Sequence, residues 1–167
     1  RSDLKDRLRF DTVYDTPLVD PLYTHTLHNQ EHDGVINFLH SHGMHNNKDS
    51  QVKVIFVPCY LDGNDGIFDM SYYDLLIGND LAVYPSYYEP WGYTPTESVA
   101  FHVPCITTDL AGFGLWANSL KGRYSEIEDG VKTVHRSDYN FDEVSNGIRD
   151  TMLQFSKLNK KQVNAAR

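Results

Sequence analysis

Between residues 52 and 158, short β-branched runs alternate with stretches of helical spacing, and this alternation leaves few folds open. Residues 52–57 (Val-Lys-Val-Ile-Phe-Val) form a strand-like run ended by Pro58. Leu81-Ala82-Val83-Tyr84 is a second, closed by Pro85; 103–108 (Val-Pro-Cys-Ile-Thr-Thr) is a third, and 131–135 a fourth. Ser71 is placed to cap a short helix over 72–78, a helix follows from 95 to about 101, and 141–158 carries the spacing of a long amphipathic helix. This pattern predicts βαβ units with right-handed crossovers: an α/β, Rossmann-like parallel sheet flanked by helices. Ligands of such sheets sit beyond the carboxyl ends of the strands, so a site is expected just after Tyr84.

Upstream the pattern is weaker. Val35, Ile36, Leu39 and Met44 predict a helix over 31–43 that Gly43 can stop. Residues 1–24, with Asp15-Thr16-Pro17 and Asp20-Pro21, read as an irregular arm, leaving 25–167 as the folded domain. The sequence opens on Arg1 in polar surroundings, with no signal-peptide pattern, as expected of a piece cut from a longer chain.

Charge and composition exclude several functions. A net charge of −8 argues against nucleic-acid binding, which needs a basic face. The one basic cluster, Lys157, Lys160, Lys161 and Arg167, reads as a solvated helix face. No run of 18 apolar residues is present to span a membrane. Cys59 and Cys105 lie in apolar runs and read as small buried hydrophobes of a reducing compartment. His25, His28, His32, His40, His42 and His45 crowd one stretch, but no cysteine or tight carboxylate set joins them, so no metal is expected. Gly112-Phe113-Gly114-Leu115-Trp116-Ala117 fits G-x-G-x-x-A after a strand; its late position favours a tight turn lining the cleft over a dinucleotide site, and no cofactor is expected.

The chemistry concentrates in 84–97, Tyr-Pro-Ser-Tyr-Tyr-Glu-Pro-Trp-Gly-Tyr-Thr-Pro-Thr-Glu. Thr94 as N-cap, Pro95 at the first helical position and Glu97 three residues after the cap predict a capping box. The free N–H groups of that helix start suit a phosphate, and Gly92 allows close approach of a ligand. Glu89 stands just before the start, where a carboxylate repels an anion unless it faces a neutral polyhydroxylated group. A sugar diphosphate satisfies both demands.

Glu89 and Glu97 have the E-x(7)-E spacing of retaining glycosyltransferases of the GT-B fold. The whole 84–97 string resembles glycogen synthases of the animal and fungal type, and the likeness continues through 103–114 (Val-Pro-Cys-Ile-Thr-Thr-Asp-Leu-Ala-Gly-Phe-Gly), with Asn46-Asn47, residues 52–56 and Tyr72 upstream and, more weakly, Thr24-His25. The resemblance implies the C-terminal, donor-binding half of a GT-B enzyme. Its reaction would be transfer of glucose from UDP-glucose or ADP-glucose to the non-reducing end of an α-1,4-glucan, with retention and without metal. It also implies roles. Glu89, the catalytic residue, contacts the transferred glucose; Gly92, Tyr93 and Thr94 bind the diphosphate with Trp91 beside them; Glu97 holds the ribose; Tyr72 stacks on the base. The acceptor domain and the phosphate-neutralising Arg/Lys pair are expected upstream, so the 167-residue chain is expected to be inactive alone and its parent to work in the cytoplasm. His102 stands where the family usually has glycine, and 156–167 holds fewer arginines than the family's regulatory helix. The residues alone leave two alternatives open: a non-catalytic nucleotide- or carbohydrate-binding module, and a glycosidase using Glu89 and Glu97 as its two carboxylates.

Overall fold

The computed structural model describes residues 22–25, 27–47 and 49–167. Their contacts divide the chain into two compact units, Arg1–Asp74 and Leu75–Arg167. Of the expected arm, only Leu22, Tyr23 and Thr24 are among the described residues.

In the first unit, helix α1 (Gly34–Ser41) begins where the Asp33 carboxylate accepts from the Val35 and Ile36 amides, both at 2.9 Å. This single side chain satisfies two of the amides a helix start leaves free. The expected stop at Gly43 is present: with Gly43 at φ 70°, its amide donates to the His40 carbonyl and the Met44 amide to the Leu39 carbonyl. These are the two bonds of a Schellman ending. Helix α2 (Tyr72–Gly78) starts as expected after Ser71, whose hydroxyl accepts from the Asp74 amide at 3.3 Å.

The strand expected at 52–57 does not form as a ladder. Phe56 makes one parallel bridge to Tyr23, its amide donating to the Leu22 carbonyl and its carbonyl accepting from Thr24. Val54 is paired with a side chain: the buried Asn46 amide accepts from its N–H at 2.8 Å and donates to its carbonyl at 2.5 Å. The β-branched run is therefore held at two points, one of them a backbone surrogate. Cys59 follows in irregular backbone and is half-buried rather than buried.

The second unit carries the parallel sheet. Its strands β1 (Ala82–Val83), β2 (Cys105–Thr108) and β3 (Val131–Val134) lie in sequence order and pair in parallel. Helices α3 (Tyr93–Ala100), α4 (Gly112–Lys121) and α5 (Phe141–Ser156) alternate with them, and α6 (Lys160–Ala166) closes the chain. The period of two along β2 separates two cores. Cys105 packs with Phe113, Ala117 and Val131 under α4, while Ile106 packs with Val134, Val144 and Ile148 under α5. Phe113, 2% exposed, contributes ~2–3 kcal/mol by burial alone. Burial also pushes the Cys105 thiol up to about 12, so it behaves as the expected small hydrophobe.

Two glycines let these layers touch. A Cβ on Gly114 would lie 2.1 Å from the Thr108 carbonyl oxygen, and one on Gly112 would lie 2.3 Å from that of Pro90. The stretch read as a cleft-lining turn is thus the first turn of α4. The close approach of the Pro90 and Thr108 carbonyls gives these glycines a packing role.

Helix α3 ends at His102, not at a glycine. His102 adopts φ 59°, its amide donating to the Val99 carbonyl and the Val103 amide to that of Ser98. Left-handed backbone costs a non-glycine residue ~1 kcal/mol. His102 Nδ1 donates to the Arg167 carbonyl oxygen at 2.8 Å, a contact glycine could not make. This bond offsets the strain and ties the turn to the end of α6.

Candidate functional site

The site is built at the carboxyl end of β1. After Val83 the Tyr84 amide still donates to the Ile106 carbonyl, and then the chain leaves the sheet. It is caught again by the segment between β2 and α4. The Glu89 amide donates to the Leu110 carbonyl (3.1 Å), the Gly112 amide to the Glu89 carbonyl (3.2 Å), and the Phe113 amide to the Trp91 carbonyl (2.7 Å). The buried Thr108 donates its hydroxyl to the Ser86 carbonyl at 2.8 Å. Glu89 is therefore held by backbone bonds on both of its polar atoms, on a loop seated against β2 and α4.

Helix α3 then starts earlier than the capping-box reading placed it. Its N-cap is Gly92, with φ 103° and ψ 86°, and no side chain caps it. Thr94 is the second helical residue and Pro95 the third, so the Thr94–Glu97 capping box does not form. The physical reason is that Gly92 reaches a backbone conformation closed to Thr94, which lets the helix begin two residues upstream. Proline at the third position costs no hydrogen bond, because that amide would be free in any case. The free donors of the first turn are the amides of Gly92, Tyr93 and Thr94.

Over this helix start lies the Glu89 carboxylate. A Cβ on Gly92 would come 3.3 Å from Glu89 Oε2 and 3.1 Å from Pro95 Cγ, a tight fit, while the φ of 103° is what favours glycine. Ser86 donates its hydroxyl to Glu89 Oε2 at 3.0 Å and fixes the half-buried carboxylate. A carboxylate beside a helix N-terminus gains ~0.3–1 kcal/mol from the partial positive charge there, which helps hold the Glu89 side chain in place. The arrangement presents amide donors for an anion and, next to them, an oriented acceptor for hydroxyl groups.

The other expected residues divide. Tyr93, 76% exposed, and Thr94 project from the first turn into solvent. Trp91 is committed to packing. Its indole donates to Thr96 Oγ1 at 3.0 Å, and its ring lies 6.0 Å from Phe113 and 6.1 Å from Trp116. Glu97 sits half-buried one turn into α3. Glu89, Trp91, Gly92, Tyr93, Thr94 and Glu97 are thus gathered in one stretch of the second unit. Tyr72 belongs to the first unit, at the start of α2, with its ring edge-on to Tyr73 at 5.4 Å.

A second acid stands at the carboxyl end of the central strand. Asp109, just past β2, accepts from His135 Nδ1 (2.7 Å), the Arg136 amide (2.8 Å) and the Tyr124 hydroxyl (3.0 Å). Burial raises its pKa, but these three donors and the nearby His135 outweigh burial and hold the carboxyl below its ordinary value.

Comparison with known proteins gives the family. The family model described as glycogen synthase matches residues 10–167. The chain belongs to the glycogen synthase family. It is 33% identical over 142 residues to glycogen [starch] synthase of Neurospora crassa, 34% to isoform 1 of Saccharomyces cerevisiae and 32% to the liver protein of Homo sapiens. Each match covers 85% of this chain and 20% of the relative, so the chain spans about a fifth of the length of the curated relatives it matches.

Within this glycogen synthase family member, three supporting residues carried no signal of their own in the sequence analysis. Ser86 stands three residues before Glu89, a spacing that could have flagged it as a side-chain partner. Thr108 and Arg136 reach the site only through tertiary packing. Among the described residues no three His, Cys, Asp or Glu side chains are grouped to hold a metal, and no helix is long and apolar enough to cross a membrane.

Proposed function

We propose that this chain is the donor-binding half of a retaining glucosyltransferase that extends an α-1,4-glucan from a nucleotide sugar, with UDP-glucose as donor. The observation that carries this reading is the Glu89 carboxylate held by Ser86 over the uncapped, glycine-started helix α3. An anion on the amides of Gly92, Tyr93 and Thr94 places whatever is bonded to it next to Glu89. For a sugar diphosphate, that neighbour is the sugar.

In this reading the helix start binds the diphosphate and stabilises the charge that develops on it as the glycosidic bond breaks. Glu89 accepts hydrogen bonds from glucose hydroxyls and stabilises the positive charge forming at the sugar ring. The released phosphate assists attack by the acceptor hydroxyl on the same face, which gives retention. Trp91 walls the site and Glu97 holds the ribose. Residues 25–167 act as part of a Rossmann-like GT-B half, the glucan is held by a further domain, and the setting is cytoplasmic. Family membership and the seating of the Glu89 carboxylate beside the α3 start support the reading.

The test is incorporation of labelled glucose into glucan by the full-length protein, with UDP-glucose and ADP-glucose in parallel. Incorporation from UDP-glucose in α-linkage is expected. No incorporation from either donor, or a β-linked product, overturns the proposal.

A further inference from the structure

Arg136 lies two residues beyond the end of β3 and far along the chain from the loop that carries Glu89, yet its side chain engages that loop. Its guanidinium donates to the Pro85 carbonyl oxygen at 2.5 Å and sits 5.3 Å from the centre of the Tyr87 ring. The Tyr87 hydroxyl donates to Asp138, two residues past Arg136. The 136–138 segment is itself anchored, because the Arg136 amide donates to Asp109 Oδ1 and the Ser137 amide to Asn140 Oδ1. The chain from β3 therefore grips one side of the 85–87 turn, while the Thr108 hydroxyl holds it through the Ser86 carbonyl. Pro85 has no amide to give the sheet, so its carbonyl is the atom by which this end of the turn can be fixed.

We propose that Arg136 is a positioning residue for Glu89: it clamps the 85–87 turn against β3 and thereby sets where the Glu89 carboxylate stands over helix α3. A planar guanidinium suits this task, since it can hold a carbonyl in its plane and cover an aromatic ring with its face. Lysine can replace the charge but not both contacts. Arg136 acts through the loop and does not bind the donor phosphate. The proposal rests on the donor-site reading for its kinetic consequence and on geometry alone for its structural one.

The experiment uses the full-length protein with Arg136→Ala and Arg136→Lys, read in three ways. Misplacing a catalytic group by about 1 Å costs on the order of a hundredfold, so Arg136→Ala is expected to lower kcat roughly tenfold to a hundredfold. Arg136→Lys should fall between it and the wild type. Calorimetric affinity for UDP, which lacks the sugar, should stay within about threefold, as expected of a residue that makes no phosphate contact. Hydrogen exchange at the Glu89 amide, bonded to Leu110, should quicken roughly tenfold as the turn loosens. If kcat is unchanged, or UDP affinity falls in step with kcat, the positioning role is wrong; in the second case Arg136 is a phosphate ligand. Should the wild type transfer no glucose, the donor-site reading fails. The exchange result then still decides whether the clamp exists, and unchanged exchange in both variants overturns it. If Arg136→Ala does not fold, Arg136→Lys and Tyr87→Leu carry the same three measurements.

Discussion

Adding one methyl group at Gly112 probes the contact between α4 and the Glu89 loop. In Gly112→Ala the new Cβ would lie 2.3 Å from the Pro90 carbonyl oxygen and 3.2 Å from Trp91 Cα. Carbon–oxygen contacts need about 3.3 Å, so loop or helix must retreat by ~1 Å. The retreat falls on the segment held by the Gly112–Glu89 and Phe113–Trp91 backbone bonds, so the displaced element carries Glu89 itself. Overpacking of this kind costs about 1–3 kcal/mol of stability. A shift of that size at a catalytic group costs roughly a hundredfold in rate. The assay is glucose transfer by the full-length protein, with circular dichroism showing that the fold persists. Gly122→Ala is the control. Gly122, unlike Gly112, has positive φ, at 62°, and a Cβ there meets nothing within 4 Å. It should cost ~1 kcal/mol through backbone strain alone and leave the rate within about twofold. Full transfer by Gly112→Ala, or an equal loss in Gly122→Ala, would refute the packing argument.

Two further outcomes follow from the same structure. The Asp109 carboxyl titrates below its ordinary value when folded, so the unfolded chain binds more protons across the acidic range. Its stabilisation is present above the ordinary carboxylate value and is lost as pH falls through the folded one. Thermal unfolding from about pH 6 to about pH 3 should therefore fall more steeply for the wild type than for Asp109→Asn, and parallel curves would contradict this. If the proposed function holds and the chain is the donor-binding half, the 167 residues alone are expected to elongate no glucan. Measurable elongation in a radiolabel assay would show that half to be sufficient.

The parallel sheet was legible because its evidence is local. β-Branched runs closed by Pro85 and by the turn after Thr108 announce strands, and the helices between them leave little topological choice. The candidate site could be proposed for a related reason: Glu89 and its neighbours lie in one contiguous stretch, 84–97. What could not be read depends on partners distant in sequence. Residues 52–57 have strand composition, but their pairing is decided by Tyr23 and by the Asn46 side chain. The start of α3 was misplaced because capping rules favour Thr94, whereas the backbone of Gly92 settles the matter. Gly112 and Gly114 resembled a ligand turn, and only the carbonyls of Pro90 and Thr108 reveal them as packing positions. His102 was recognised as a departure from the family, but its bond to Arg167 lies 65 residues away along the chain.

In the proposed function Glu89 faces the transferred sugar while the α3 amides hold the diphosphate, and one pair of measurements on Glu89→Ala separates these roles. Transfer of glucose from UDP-glucose by the full-length variant should fall by at least about a thousandfold, as for loss of a principal electrostatic group. Its affinity for UDP, measured by calorimetry, should stay within about threefold of the wild type, because the amides are untouched. Retained transfer, or UDP affinity lost together with transfer, would contradict the account.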